Sequence, residues 1–189
     1  MIDTEGKILI GEDGLIKLAA DGHGGVYESL VKSNMVNKMK ELGCKWVFIG
    51  GVDNCLAKMV DPVLMGIAID KKVTAAGKSV VKANPKEKVG VFCKKNGRPS
   101  VIEYTEIPDD MSEQVDDNGE LVFGESHILC NLFNIDAIER MGNKPLPYHT
   151  AFKKATYIDK DGNKVVPTSP NAFKFEAFLF DAFGEVDDM

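Results

Sequence analysis

Ala20-Asp21-Gly22-His23-Gly24-Gly25-Val26-Tyr27 sets a glycine-dense loop, with one acid and one imidazole, directly before a segment of helical apolar spacing. Further along, Gly51-Val52-Asp53-Asn54 places an acid and an amide where an apolar strand ends. In an α/β protein both elements stand at the carboxyl edge of a sheet, where ligands bind. Glycines there let the backbone approach a phosphate, sugar or base, and an aspartate at a strand end can hold a divalent cation. The two stretches together predict an α/β fold with a site for a phosphorylated ligand and a metal.

Outward from these stretches, apolar residues at positions 27, 30, 31, 35, 36, 39 and 42 predict one helix over Tyr27 to Leu42, ended by Gly43. Lys45 to Gly50 is a short apolar strand, so helix and strand read as half of a βαβ unit. Pro62 is suited to a helix start within Leu56 to Ile69. Strands are predicted over Val73 to Ala83, Lys88 to Lys94 and Ser100 to Ile107, with a turn at Asn96-Gly97. Ile128 to Ile135 is strand-like, and Asp136 can cap a short helix to Met141. Near the start, Lys7 to Ile10 and Leu15 to Leu18 flank the turn Gly11-Glu12-Asp13-Gly14 as a hairpin. Phe173 to Phe183 has aromatics at 173, 175, 178, 180 and 183; free of glycine, it reads as a helix.

A chain of 189 residues is sized for one domain with at most a small appendage. Its composition, 44% apolar and 28% charged, is that of a soluble globular protein. The net charge of -6 argues against nucleic acid, whose phosphates need a basic face, but not against a nucleotide. Cys44, Cys55, Cys93 and Cys130 form no C-x-x-C pair, which fits a reducing cytoplasm better than a zinc site or disulfide scaffold. No apolar run reaches membrane-spanning length. The hairpin at the start and the aromatic stretch at the end read as cuts through a larger fold.

The ordered blocks resemble the eukaryotic-type UDP-sugar pyrophosphorylases, most closely the UDP-N-acetylhexosamine pyrophosphorylases. The blocks are Asp21 to Tyr27, Val52-Asp53-Asn54, Asn84-Pro85 through Val91, Glu103 to Ile107, Lys153-Lys154 through Asp159, and Pro170-Asn171 through Asp181. This resemblance covers nearly the whole chain. It implies a nucleotidyltransferase α/β fold, a GT-A-like mixed sheet with flanking helices. It implies the central part of the catalytic domain over residues 1–189, incomplete at both ends. It also implies transfer of a uridylyl group from UTP to a sugar 1-phosphate, giving a UDP-sugar and pyrophosphate with Mg²⁺ on the phosphates.

By that resemblance Gly22 lets its backbone meet the uridine portion, and Asp53 is the Mg²⁺ ligand beside the phosphates. Lys174 is a phosphate-contacting lysine. His23, Gly90, Glu103 and His127 are sugar-facing, and Phe178 and Phe180 wall the acyl or sugar pocket. The family usually has asparagine where this chain has His23 and His127, which leaves the sugar open between an N-acetylhexosamine and a hexose. The family's glycine-rich nucleotide loop, with its Thr-Arg pair, and a later lysine-bearing segment have no counterpart here. Turnover is therefore expected of a full-length enzyme and not of these residues alone, the alternative being a non-catalytic UDP-sugar-binding module or pseudoenzyme.

Overall fold

The computed structural model describes residues 1–189, whose elements in chain order are β1 (Ile2–Asp3), α1 (Val26–Lys32), α2 (Met35–Glu41), β2 (Trp46–Gly50), α3 (Pro62–Asp70), β3 (Ala75–Val81), β4 (Val91–Lys95), β5 (Arg98–Ile102), α4 (Asp109–Ser112), β6 (Glu125–Asn134), α5 (Ile135–Gly142), β7 (His149–Lys153), β8 (Tyr157–Ile158), β9 (Lys164–Val165) and β10 (Ala172–Glu176), followed by a 3-10 helix (Leu179–Glu185). They form two compact units. Met1–Val26 and Pro145–Leu179 make the first, and Tyr27–Lys144 with Phe180–Met189 the second.

The second unit is organised by β6, whose stretch Ile128 to Phe133, apolar but for Asn131, suits a central strand. β3 lies along one side of it, and β2 and the tip of β4 follow each other along the other side. β5 completes the sheet beside β4 through the Asn96-Gly97 turn, where both residues have positive φ (54° and 79°) as a tight hairpin requires. Between the stretches of β6 paired with β4 and β2, Leu129 takes φ 52°, breaking the strand's regularity at the change of partner. Every ladder is antiparallel, yet β2 and β3 run the same way on opposite sides of β6, with α3 between them in sequence. β2, α3 and β3 thus form a split βαβ unit, made of other elements than the expected half unit of the helical segment before β2 and β2 itself.

On one sheet face, Leu132, Ala76 and Ala68 form a buried cluster with Trp46, Phe48, Leu64 and Met65. On the other, Phe133 meets Tyr27 edge-on at 5.7 Å and Phe183 at 5.9 Å. Burial pushes the Tyr27 phenol far above its ordinary range, and the charge of Asp181 adds to the effect. Gly142 of α5 lets α1 approach: a β-carbon there would stand 2.5 Å from the Tyr27 carbonyl oxygen.

Three local expectations are corrected. The helix over Tyr27 to Leu42 is two, because Asn34 adopts a left-handed conformation (φ 59°) that asparagine tolerates and that a continuous helix excludes. Asn34 also accepts from the Asn37 amide at 2.6 Å. The cap of α5 is Asn134, whose side chain accepts from the Asp136 N–H; Asp136 itself lies in the first turn and pairs with Lys40. The aromatic stretch from Phe173 is not a helix at its start. Pairing of β10 with β7 draws Ala172–Glu176 into a strand, and only Leu179–Glu185 coils, as a 3-10 helix. Tertiary pairing overrides local preference there. Pro62 starts α3 as expected, with the Asp61 carboxylate accepting from the Val63 and Leu64 N–H groups.

The first unit is a smaller β structure. β10 is flanked by β1 and β7, and β8 pairs with β9 around the Asp159–Asn163 turn. Leu9, Ala155 and Ala172 make its core, with Met1 and Tyr157 packed on them. The predicted N-terminal hairpin exists as a single bridge, Ile10 to Ile16, rather than as full strands, and Ile8 bridges to Ile2 of β1.

Candidate functional site

In the first unit, the glycine loop is tied to the residue after β10. The Ala177 N–H donates to the Asp21 carbonyl at 2.8 Å, and the Gly24 N–H donates to the Ala177 carbonyl at 2.9 Å. Gly22 has φ +86°, and a β-carbon on it would lie 2.2 Å from the Ala177 carbonyl oxygen. A β-carbon on Gly24 would meet the same residue at 2.8 Å and the Leu146 side chain at 2.9 Å. These glycines therefore let two backbone segments touch. The His23 Nδ1 accepts from the Leu179 N–H at 3.0 Å, which puts the proton of the neutral ring on Nε2 as a donor. Its ring stands 5.4 Å from that of Phe178, and Phe178 also meets His149 at 5.1 Å. Lys174 and Glu176 project from the same face of β10 and form a 2.7 Å ion pair, each side chain 21% exposed. Lys174 is thus a half-buried cation with a carboxylate neighbour rather than a solvated surface lysine.

In the second unit, Asp53 is exposed in the loop that follows β2. The Gly51 N–H donates to the Leu129 carbonyl at 3.0 Å and the Asn54 N–H to the Gly51 carbonyl at 3.3 Å, which sets the loop's path. The Asp53 Oδ1 folds back to 2.8 Å from where a β-carbon on Gly51 would be. Asn54 turns its amide toward the Cys130 sulfur at 3.8 Å.

Gly90, Glu103 and His127 come together nearby in β4, β5 and β6 surroundings. The His127 N–H donates to the Gly90 carbonyl at 2.8 Å, and the Glu103 Oε1 lies 3.1 Å from the place of a Gly90 β-carbon. The His127 ring is enclosed edge-on by Phe92 at 5.2 Å, Phe180 at 5.6 Å and Phe183 at 5.7 Å. Its Nε2 faces the Asn131 amide at 3.2–3.3 Å. Asn131 is fully buried and was not singled out from sequence. The signal was present: it is the polar break in an apolar strand, two pleats from His127 and so on the same face. Phe92 and Phe183 were likewise missed as members of the ring around His127.

No group of three or more His, Cys, Asp or Glu side chains gathers as a metal cluster. Magnesium is commonly held by one or two carboxylates with substrate phosphates and water filling the octahedron. The exposed Asp53 carboxylate fits that limited role, with the remaining ligands coming from phosphate and water. No helix is long and apolar enough to cross a membrane.

A family model described as UTP–glucose-1-phosphate uridylyltransferase matches residues 2–179. The chain belongs to this uridylyltransferase family. Its relatives include a UDP-N-acetylhexosamine pyrophosphorylase-like protein 1 of Xenopus tropicalis, 36% identical over 96% of this chain and 36% of that protein. A probable UDP-N-acetylglucosamine pyrophosphorylase of Dictyostelium discoideum is 38% identical over 95% of this chain and 38% of its own length. Among solved structures, a putative UDP-N-acetylglucosamine pyrophosphorylase of Entamoeba histolytica superposes with a TM-score of 0.88 at 33% identity, covering 100% of this chain and 48% of that one. This member of the uridylyltransferase family thus spans well under half the length of the curated relatives.

Proposed function

We propose that these residues are the sugar- and phosphate-handling part of a cytoplasmic UTP:sugar-1-phosphate uridylyltransferase with a GT-A-like nucleotidyltransferase fold. In that reaction a phosphate oxygen of the sugar 1-phosphate attacks the α-phosphorus of UTP. The bond from that phosphorus to the β-phosphate bridge oxygen breaks, and pyrophosphate leaves. Such transfers are served mainly by positioning and charge stabilisation. Asp53 would hold Mg²⁺, which supplies positive charge to the phosphate oxygens when bound. Lys174 would exchange its Glu176 partner for a phosphate oxygen. Gly22 would offer its backbone to the uridine portion.

Glu103 would accept hydrogen bonds from sugar hydroxyls, with Gly90 leaving room beside it. His23 would donate from Nε2, and His127 would present its ring to the sugar. Phe178 of the first unit and Phe180 of the second would each offer an aromatic ring to the sugar or its acyl group. What supports this reading most is one observation: Gly90, Glu103 and His127, from separate stretches of the chain, meet at Gly90, whose carbonyl accepts from the His127 N–H and whose missing β-carbon leaves room beside the Glu103 carboxylate. A half-buried carboxylate beside the main chain discriminates among hydroxyl patterns by being left unpaired with the wrong one.

The test is a chimaera in which residues 2–179 replace the matched segment of the Dictyostelium relative. Pyrophosphate release is followed with UTP, Mg²⁺ and either N-acetylglucosamine 1-phosphate or glucose 1-phosphate. Turnover is expected, and Asp53→Asn should lower it by about 10²–10³, as for loss of one charge-stabilising group. A folded chimaera that binds UDP-sugar without turnover would decide for the non-catalytic binding module instead.

A further inference from the structure

Lys82 is the one charged residue that the fold buries, at 7% exposure. Lysine is almost never enclosed without a partner, because its ammonium loses its water. Here the ammonium donates to the Pro85 carbonyl at 2.8 Å rather than to a carboxylate. A neutral carbonyl offsets the lost hydration less than an opposite charge would, so this burial is costly. The reaction proposed above makes no use of it.

Lys82 stands where β3 ends and the chain sets out for β4. Ser126 of β6 is the register partner of Val80 on one side and of Val91 on the other. Residues 82–90 therefore cross β6 near its first residues, between flanking strands about 10 Å apart. Both ends of the crossing are buried and made fast there. The Lys82 N–H donates to the Gly124 carbonyl, just before β6, and the His127 N–H donates to the Gly90 carbonyl, each at 2.8 Å.

Between those ends the segment is tied to itself. The Glu87 carboxylate accepts from the Ala83 N–H at 2.6 Å, and the Asn84 side chain from the Lys86 N–H at 3.0 Å. The Asn84 carbonyl accepts from the Glu87 N–H at 3.2 Å, and the Glu87 carbonyl from the Val89 N–H at 3.0 Å, one residue before Gly90. Ala83, Asn84, Lys86 and Lys88 are exposed, so the ties on that side compete with water. The bond from Lys82 to Pro85 starts from a buried side chain, where a hydrogen bond is electrostatically stronger.

We propose that residues 82–90 are a strap that sets the place of Gly90, and that Lys82 is its positioning residue. Lys82 fixes Pro85, and the turns from Asn84 to Val89 carry that constraint to Gly90. The Gly90 carbonyl then meets the His127 N–H, and the Glu103 carboxylate keeps its room. This rests on the sugar-handling role proposed for Gly90 and Glu103, and adds a residue that touches neither sugar nor phosphate.

The test places Lys82→Met and Glu87→Ala separately in the Dictyostelium chimaera. Methionine keeps the apolar stem and loses the donor, while Glu87→Ala cuts the tie to Ala83. Kinetics use UTP, Mg²⁺ and whichever of the two sugar 1-phosphates the parent turns over faster. KM for the sugar 1-phosphate should rise at least about fivefold in each variant, with KM for UTP staying within about twofold. Hydrogen exchange at the His127 amide should quicken at least about tenfold, while that at Phe133, deeper in β6, holds. Thermal melts check that each variant is folded, and Glu87→Ala decides alone if Lys82→Met does not fold. An unchanged sugar KM in a folded variant overturns the strap. So does a loss spread equally over both substrates, which marks a purely structural role. A parent chimaera without turnover counts against the proposed reaction instead, and exchange at His127 then decides the strap by itself.

Discussion

At the residue scale, the glycines and histidines carry distinct physical duties. Gly22 combines φ +86° with the approach of the Ala177 carbonyl, so no side chain fits without moving backbone. Gly22→Ala should destabilise the chain by about 2 kcal/mol or more, from strain and clash together. Urea denaturation measures it, and an unchanged midpoint would remove the packing role of this glycine. His23 uses Nδ1 to hold the Leu179 N–H, while His127 sits among three phenylalanine rings and the Asn131 amide. Replacing both by asparagine in the chimaera should change the N-acetylglucosamine to glucose 1-phosphate ratio of kcat/KM by about two- to tenfold, one buried hydrogen bond's worth. KM for UTP should stay nearly constant. A folded double mutant with an unchanged ratio would make both imidazoles structural. The glycine loop was legible in sequence, but its packing partner was not, because Ala177 lies far along the chain and no local pattern marks its backbone as the loop's partner.

At the element scale, α3 rests on Asp61. Its carboxylate accepts from the Val63 and Leu64 N–H groups and pairs with the Lys78 ammonium. The hydrogen bond from Lys78 is the main reason its carboxyl lies below the ordinary value, with the two backbone donors adding to it. A depressed carboxyl contributes stability that is present above the unfolded value, near about pH 4, and lost as pH falls through the folded value. Asp61→Asn keeps the cap acceptor and loses the ion pair. It should lower Tm by about 2–4 °C at neutral pH, with the gap closing as the solution is acidified below about pH 4. Thermal melts at several pH values check this; a gap that persists in acid would assign the loss to the cap alone. Pro62 and the Asn96-Gly97 turn were readable from sequence because each uses a local backbone rule. The break at Asn34 and the strand at Ala172–Glu176 were not. The first needs a left-handed residue that asparagine only permits, and the second needs β7 as a neighbour.

At the scale of the whole molecule, each unit holds its own core, and the larger one depends on rings seated on β6. Phe133 has no exposed surface and touches both Tyr27 and Phe183. Phe133→Ala should cost about 3–5 kcal/mol, the range for emptying a buried aromatic site. Hydrogen exchange should then accelerate along β2, β3 and β6 together, since β2 and β3 both pair with β6 in one sheet. Confinement of the acceleration to Tyr27 and its helix would show that the sheet's stability lies elsewhere.

The sequence by itself determined the α/β class, the strand and turn positions governed by local rules, and the family blocks that include Asp53, Glu103 and Lys174. These are legible because apolar period, proline and glycine act over a few neighbouring residues. Only the tertiary structure decided that every ladder is antiparallel, that β6 stands between β2 and β3, and that Ala177 closes on the glycine loop. It also decided that Asn131 and three phenylalanines hold His127, and that the most apolar short strand lies at a sheet edge. Strand partners and buried polar contacts are chosen by segments distant in sequence, whose pairing no local pattern encodes.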